Sequence, residues 1–217
     1  SEIDAELKGV TDRIVRMIDI VIAETTAQTG AKRSDVIGIG VGAPGPLDRE
    51  RGIVVTTPNL GWTNFPLRDV IAGRTGISTR IDNDANCATL GEWWLGAARG
   101  ARNVIGMTIG TGIGGGIILN GRLYHGASDV AGEIGHTTID VTGRRCKCGN
   151  YGCLEAYASG PSIADRAREA VAGDESALLV RMVGGRMDLI TAATVYEAAS
   201  LGDEDAIDVV RETARFL

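Results

Sequence analysis

Between Glu133 and Glu155 the chain gathers three of its four cysteines and one of its two histidines. Cys146, Cys148 and Cys153 offer thiolates and His136 an imidazole, and three sulfurs with one nitrogen make a closed tetrahedral set for structural zinc. The spacing H-x9-C-x-C-x4-C differs from paired C-x2-C knuckles, so ligand chemistry carries this expectation. A carboxylate stands at each end of the segment. Another, Asp84, lies in Asn83-Asp84-Ala85-Asn86, where an apolar β pattern meets an Ala-rich helical one. There it can cap the helix by accepting a backbone N–H, or act as a carboxylate at the mouth of an α/β sheet. The positive helix end favours the ionised form in both roles. Gly110, Gly112 and Gly115 satisfy G-x-G-x-x-G, but a β pattern follows and no Gly-Lys-Ser or Gly-Lys-Thr closes the run. That excludes a dinucleotide fingerprint and a P-loop. What remains is a glycine-rich β-turn whose N–H groups and Thr111 hydroxyl suit phosphate oxygens, or an ordinary tight hairpin.

These residues need elements to hold them. Ile3, Leu7, Val10, Ile14, Met17, Ile18, Val21 and Ile22 recur at helical spacing, which predicts a packing helix ending near Gly30. From Val36 to Gly42 glycine alternates with β-branched residues before the turn Ala43-Pro44-Gly45-Pro46. A glycine face implies either tight helix packing or a ligand close to the backbone. A strand is predicted over 52–57, a loop over 58–62, a helix from near Pro66 and a buried strand over 78–82 leading into Asp84. Cys87 is expected as a small buried apolar residue on the following helix, and His125 as a surface or turn residue. Asn120-Gly121 is a favoured two-residue hairpin turn. Pro161 suits the first turn of a helix, and Thr191 and Asp203 cap two more. Strand and helix patterns alternate, so the class is α/β.

The chain has 217 residues, 44% of them hydrophobic, enough for one good core or two modest ones. A net charge of −6 with dispersed Lys and Arg disfavours a nucleic-acid surface. No apolar run approaches the roughly 18 residues that would span a bilayer. Ser1-Glu2-Ile3-Asp4 lacks the pattern of a signal peptide, which makes the cytoplasm the expected location. Clustered cysteines in a chain this long indicate metal binding in a reducing compartment rather than a disulfide framework. With 31 glycines against two phenylalanines, turns rather than aromatic packing are expected to shape the working surface.

Several motifs then converge. Val36 to Asp48 resembles G-I-G-x-x-x-P-G-x-x-D, Asn83 to Glu92 resembles N-D-A-N-x-A-x-x-G-E, and Gly110 to Gly116 matches G-T-G-I-G-G-G. Glu133 to His136 with Cys146 to Glu155 resembles the E-x-G-H and C-x-C-G-x-x-G-C-x-E signatures of the ROK family (repressors, open reading frames and sugar kinases), especially its glucokinases. The resemblance covers nearly the whole chain. It implies the actin-like ATPase fold of hexokinases, related to ribonuclease H, with two α/β domains around a cleft, here residues 1–82 and 83–217. It also implies transfer of the ATP γ-phosphoryl group, with magnesium, to a hexose, glucose foremost, in carbohydrate metabolism and glycolysis. Assembly as a homodimer or homotetramer is expected. Carried over, Asp84 is the general base; Asn83, Glu133, His136 and Glu155, with Gly45 and Asn59, meet the sugar; and Gly110, Thr111 and Gly112 meet the ATP phosphates. Zinc on His136, Cys146, Cys148 and Cys153 braces the sugar loop. Nothing before the first helix resembles the family's opening D-x-G-G-T, and no Gly-Gly adenosine segment follows Leu217, so a fragment of a longer kinase is expected. The alternatives are a sugar-responsive repressor of the same family and a sugar-binding remnant without catalysis.

Overall fold

A computed structural model describes residues 2–57 and 60–217, with side chains from residue 9 onward. It divides into two compact units, residues up to 104 with 116–131, and residues 105–115 with 132–217. The boundary expected after residue 82 falls inside the first unit.

The first unit opens on α1 (Glu2–Thr29), closed by Gly30 in the left-handed region with its N–H on the Thr26 carbonyl. The apolar seam is narrower than the periodicity predicts. Val10, Ile14 and Ile18 pack on the core and Ile22 is buried, while Met17 and Val21 are each 60% exposed. Contact follows two adjacent i+4 rows, 10–14–18–22 and 11–15, since Thr11 and Val15 are buried as well.

Next, β1 (Ile39–Ala43) leads to a meander of β2 (Leu47–Asp48), β3 (Ile53–Thr57) and β4 (Trp62–Phe65), then to α2 (Leu67–Thr75), β5 (Thr79–Asn83) and α3 (Asp84–Trp94). β1 and β5 run parallel in the register Val41↔Ile81, Gly42↔Asp82, Ala43↔Asn83. The meander pairs antiparallel in the order β2-β3-β4. Trp62, expected in a loop, starts β4 opposite Thr57. It is buried and stacks on Phe65 at 4.7 Å between ring centroids, because covering an indole outweighs the turn preference of its neighbours. Val54, Leu67 and Ile71 are fully buried beside it, each such side chain contributing about 1.5–3 kcal/mol.

Helix packing accounts for one position of the glycine face. A Cβ on Gly42 would stand 3.4 Å from Asp84 Cα and 3.5 Å from Cys87 Sγ, whereas Gly40 has open space around it. Cys87 itself is exposed, not buried as expected. It sits on the first turn of α3, the turn that also carries the exposed Asp84.

A third sheet has the order β6 (Val104–Ile109), β7 (Ile113–Leu119), β8 (Arg122–Leu123). Asn120 and Gly121 make its second turn with φ of 52° and 75°, as the sequence predicts. The chain passes between units after Val104 and again after Gly115.

In the second unit, α4 (Glu155–Ala158), α5 (Gly160–Ala170), α6 (Leu178–Met182), α7 (Ala192–Ser200) and α8 (Glu204–Phe216) follow the cysteine segment. α4 and α6 are too short to show a periodicity and escape sequence reasoning. Ser159, Thr191 and Asp203 cap α5, α7 and α8 through side-chain oxygens. Ile163, Ala167, Leu179, Ile190 and Val195 form the core. The buried Arg166 is satisfied by the carbonyls of Tyr157 and Val209, by Thr213 Oγ1 and by Glu212. No helix among the described residues is long and apolar enough to cross a membrane.

Candidate active site and metal cluster

In the first unit the joint of β5 and α3 presents Asp84. The cap role considered for Asp84 belongs to Asn83, whose Oδ1 accepts from the N–H groups of Ala85 at 2.9 Å and Asn86 at 3.2 Å. Asp84 Oδ1 shares the Ala85 N–H at 2.9 Å, and the residue is exposed on the first turn, where the helix end favours a negative charge. With Oδ1 of Asn83 committed to capping, its amide NH₂ has no partner among the described residues and is left to donate.

Asp82 braces this joint from behind. Its Oδ1 accepts from Asn83 N–H at 2.8 Å and Asn86 Nδ2 at 3.2 Å, while its Oδ2 lies 2.8 Å from His125 Nε2 and 3.5 Å from an Arg49 guanidinium nitrogen. Arg49 in turn donates through Nε and N–H to Asp129. Burial works to raise the Asp129 pKa, but the Arg49 hydrogen bonds and charge, with His125 nearby, hold it below the usual carboxylate range. His125 is therefore a member of a polar network, with a side chain only 14% exposed, and not the surface residue expected. No spacing signals this, since Arg49 and Asp129 are 80 residues apart.

Gly45 adopts φ 84°, and a Cβ there would stand 2.4 Å from the Thr56 carbonyl oxygen, so the tight meander alone demands glycine. Asn59 lies outside the described residues.

In the second unit the structure gathers all four expected metal ligands. His136 ends the 3₁₀ turn Ile134–His136. Cys146 and Cys148 sit on a knuckle closed by Cys146 N–H to Asn150 O at 2.8 Å and Gly149 N–H to Cys146 O at 3.0 Å. Cys153 pairs with Thr138 in an isolated bridge. The four ligand atoms lie within 4.8 Å of one another, with Cys148 Sγ 3.7 Å from Cys153 Sγ and Cys146 Sγ 3.8 Å from His136 Nδ1. Zinc bonded tetrahedrally to sulfur at about 2.3 Å requires sulfurs about 3.8 Å apart. The cysteines are free thiols, and the donor set fits the metal.

Burial, with contacts to Cys148 and Cys146, pushes the Cys153 thiol up to about 12. Burial raises Cys146 as well, whereas an N–H from Asn150 lowers Cys148. A bound cation reverses the preference for neutral thiols.

His136 faces the thiols with Nδ1 and lies 3.9 Å from Glu133 Oε2 with Nε2. Glu155, the first residue of α4, directs Oε2 to the N–H of Ile113 at 2.7 Å. It thereby touches the Gly110–Gly112 turn, a link that residue spacing does not reveal. Thr111 stands exposed at the tip of that turn.

The profile of the ROK family matches residues 4–217. A glucokinase of Halalkalibacterium halodurans is 44% identical over 186 residues, which cover 85% of this chain and 56% of that protein. A xylose repressor of Caldicellulosiruptor bescii is 33% identical over 204 residues, covering 94% of this chain and 50% of the repressor. The crystal structure of a ROK family glucokinase from Streptomyces griseus in complex with glucose and AMPPNP aligns with a TM-score of 0.77 at 37% identity. That alignment covers 94% of this chain and 65% of the other. The chain spans about half the length of the curated relatives it matches. With one family profile running from residue 4 to the last residue, over both the Asp84 joint and the cysteine cluster, this chain belongs to the ROK family.

Proposed function

We propose that the protein transfers the γ-phosphoryl group of ATP, carried with magnesium, to the 6-hydroxyl of a hexose, with glucose preferred. The observation that carries this reading is Asp84: an exposed carboxylate on a helix's first turn, beside a capping Asn83 whose amide NH₂ is free to donate. In phosphoryl transfer the protein mainly positions groups and stabilises charge. Asp84 takes the proton as the hydroxyl oxygen attacks phosphorus, and the ADP oxygen leaves with the bond's electrons. A base so placed contributes about 10²- to 10⁴-fold. Asn83, Glu133, His136 Nε2 and Glu155 bind the other hydroxyls, since each buried hydroxyl needs both a donor and an acceptor; Gly45 and Asn59 line the sugar site. Backbone N–H groups of Gly110, Thr111 and Gly112 meet the phosphates. His136, Cys146, Cys148 and Cys153 would hold zinc, which supplies a rigid cross-link beneath the sugar-binding residues. An actin-like ATPase fold, a cytoplasmic location and a place in glycolysis go with this reading.

A coupled ADP assay of the full-length protein with a panel of hexoses tests it. Glucose-dependent turnover exceeding that with fructose or N-acetylmannosamine is expected, and flat ADP production with every hexose refutes it. Similarity to a xylose repressor, 33% identical in an alignment covering 94% of this chain, favours a second reading, a sugar-responsive regulator. Sugar-dependent release from DNA, without turnover, would support that reading instead.

A further inference from the structure

We propose that Glu155 is also a positioning residue for the turn between Gly110 and Ile113, so that one carboxylate couples hexose binding to nucleotide binding. The inference rests on the function proposed above, in which this turn meets the ATP phosphates. One short segment holds the turn at both ends. At its exit the Ile113 N–H donates to Glu155 Oε2 at 2.7 Å. At its entry the Gly110 carbonyl accepts from the Gly160 N–H at 2.8 Å. Inside, the Gly110 N–H reaches the Gly112 carbonyl at 2.9 Å. Thr111 is left exposed between these fixed points.

Gly112 shows that the carboxylate matters to the turn. Its φ is not in the left-handed region, so backbone conformation does not explain the glycine. A Cβ there would stand 2.5 Å from Glu155 Oε2, and only glycine admits the carboxylate this closely. Glu155 is anchored in its turn, because its carbonyl accepts from Ser162 Oγ at 2.8 Å and from the Ser159 N–H at 3.2 Å. Oε2 is committed to Ile113, while Oε1 has no protein partner among the described residues. A hexose hydroxyl donating to Oε1 fixes the plane of the carboxylate, and with it the acceptor that holds the turn. By linkage the effect is reciprocal, so bound nucleotide tightens hexose binding to the same degree.

The test perturbs one side and measures the other, in the full-length protein. Gly112→Ala pushes on Oε2 from the phosphate side; calorimetric affinity for glucose without nucleotide should fall about tenfold, the effect of losing a charge-assisted hydrogen bond. Gly73→Ala, inside α2, whose Cβ meets open space, should leave that affinity within about twofold. In a second arm, Glu155→Gln keeps an acceptor for Ile113 while Glu155→Ala removes it. At saturating hexose the KM for ATP should rise about tenfold in the alanine variant and stay within about threefold in the glutamine variant. Glucose affinity untouched by Gly112→Ala, or ATP KM values equal in the two Glu155 variants, overturns the inference and leaves the kinase reading standing. An unmutated protein that binds no hexose overturns both.

Discussion

Asp84 stands on regular structure: β5 enters the joint, α3 leaves it, and Asn83 closes it with two backbone hydrogen bonds. Glu133 and His136 stand on a 3₁₀ turn and Glu155 on a four-residue helix, joined by a segment with two isolated bridges. A strand, a helix and the side chains of Asp82 and Asn83 fix the first carboxylate. The second group lies on a segment with few ladder bonds, where the conformational entropy of the loop needs another restraint. Four ligand atoms within 4.8 Å supply one when they share a metal. The candidate metal cluster thus lies where regular structure runs out, and four experiments press on that contrast.

The largest effect is expected from Asp84→Asn, which keeps the shape of the joint and removes the proposed proton acceptor. Turnover of the full-length protein should fall at least about 100-fold while hexose affinity stays within about tenfold. Equal losses in binding and rate would make Asp84 a ligand and not a base. Next comes Cys148→Ser, which should release zinc, measured by elemental analysis, and destabilise residues 137–153 by several kcal/mol, on the order of a structural metal site. Protease cleavage should appear in that segment while the first unit stays protected; no zinc in the unmutated protein removes the contrast altogether.

Smaller effects test the first unit. Asn83→Ala removes the cap and should cost about 1 kcal/mol in chemical denaturation, whereas Asn83→Ser should cost only a fraction of that. The smallest concerns Asp129. Its folded pKa is depressed, so its contribution is complete above the unfolded value of about 3.9 and is lost as pH falls through the folded one. Asp129→Asn should flatten the stability profile below about pH 4 by at most about 1 kcal/mol, because the pair with Arg49 is 34% and 24% exposed. A profile steeper in the variant than in the parent would reverse the assignment.

What the sequence made legible follows the range of the interactions. Thr191 and Asp203 cap the helices expected of them because a cap is decided within three residues. The cysteine cluster was legible because all four ligands fall within 18 residues, from His136 to Cys153. Asn83 and Asp84 are adjacent and both able to cap, so only backbone geometry separates them. The burial of Trp62, the exposure of Cys87 and the pairing of His125 with Asp82 depend on residues far along the chain, and no local pattern encodes them. Glu155 is the instructive mixture. Its motif marks it as important, while its grip on Ile113, 42 positions away, needed the fold.

Because residues 105–115 belong with 132–217 while 116–131 do not, the second unit is not one uninterrupted stretch of gene. A coding fragment opening at Gly132 would keep every residue of the His136, Cys146, Cys148 and Cys153 cluster and every helix of the core. It would lose Ile113, and Glu155 would face solvent where its amide partner had been. Any dissection of this protein must therefore carry the hairpin at 104–123 with whichever half is kept. An insertion at the solvent-facing Asn120-Gly121 turn, in contrast, would interrupt neither the cysteine segment nor the Asp84 joint.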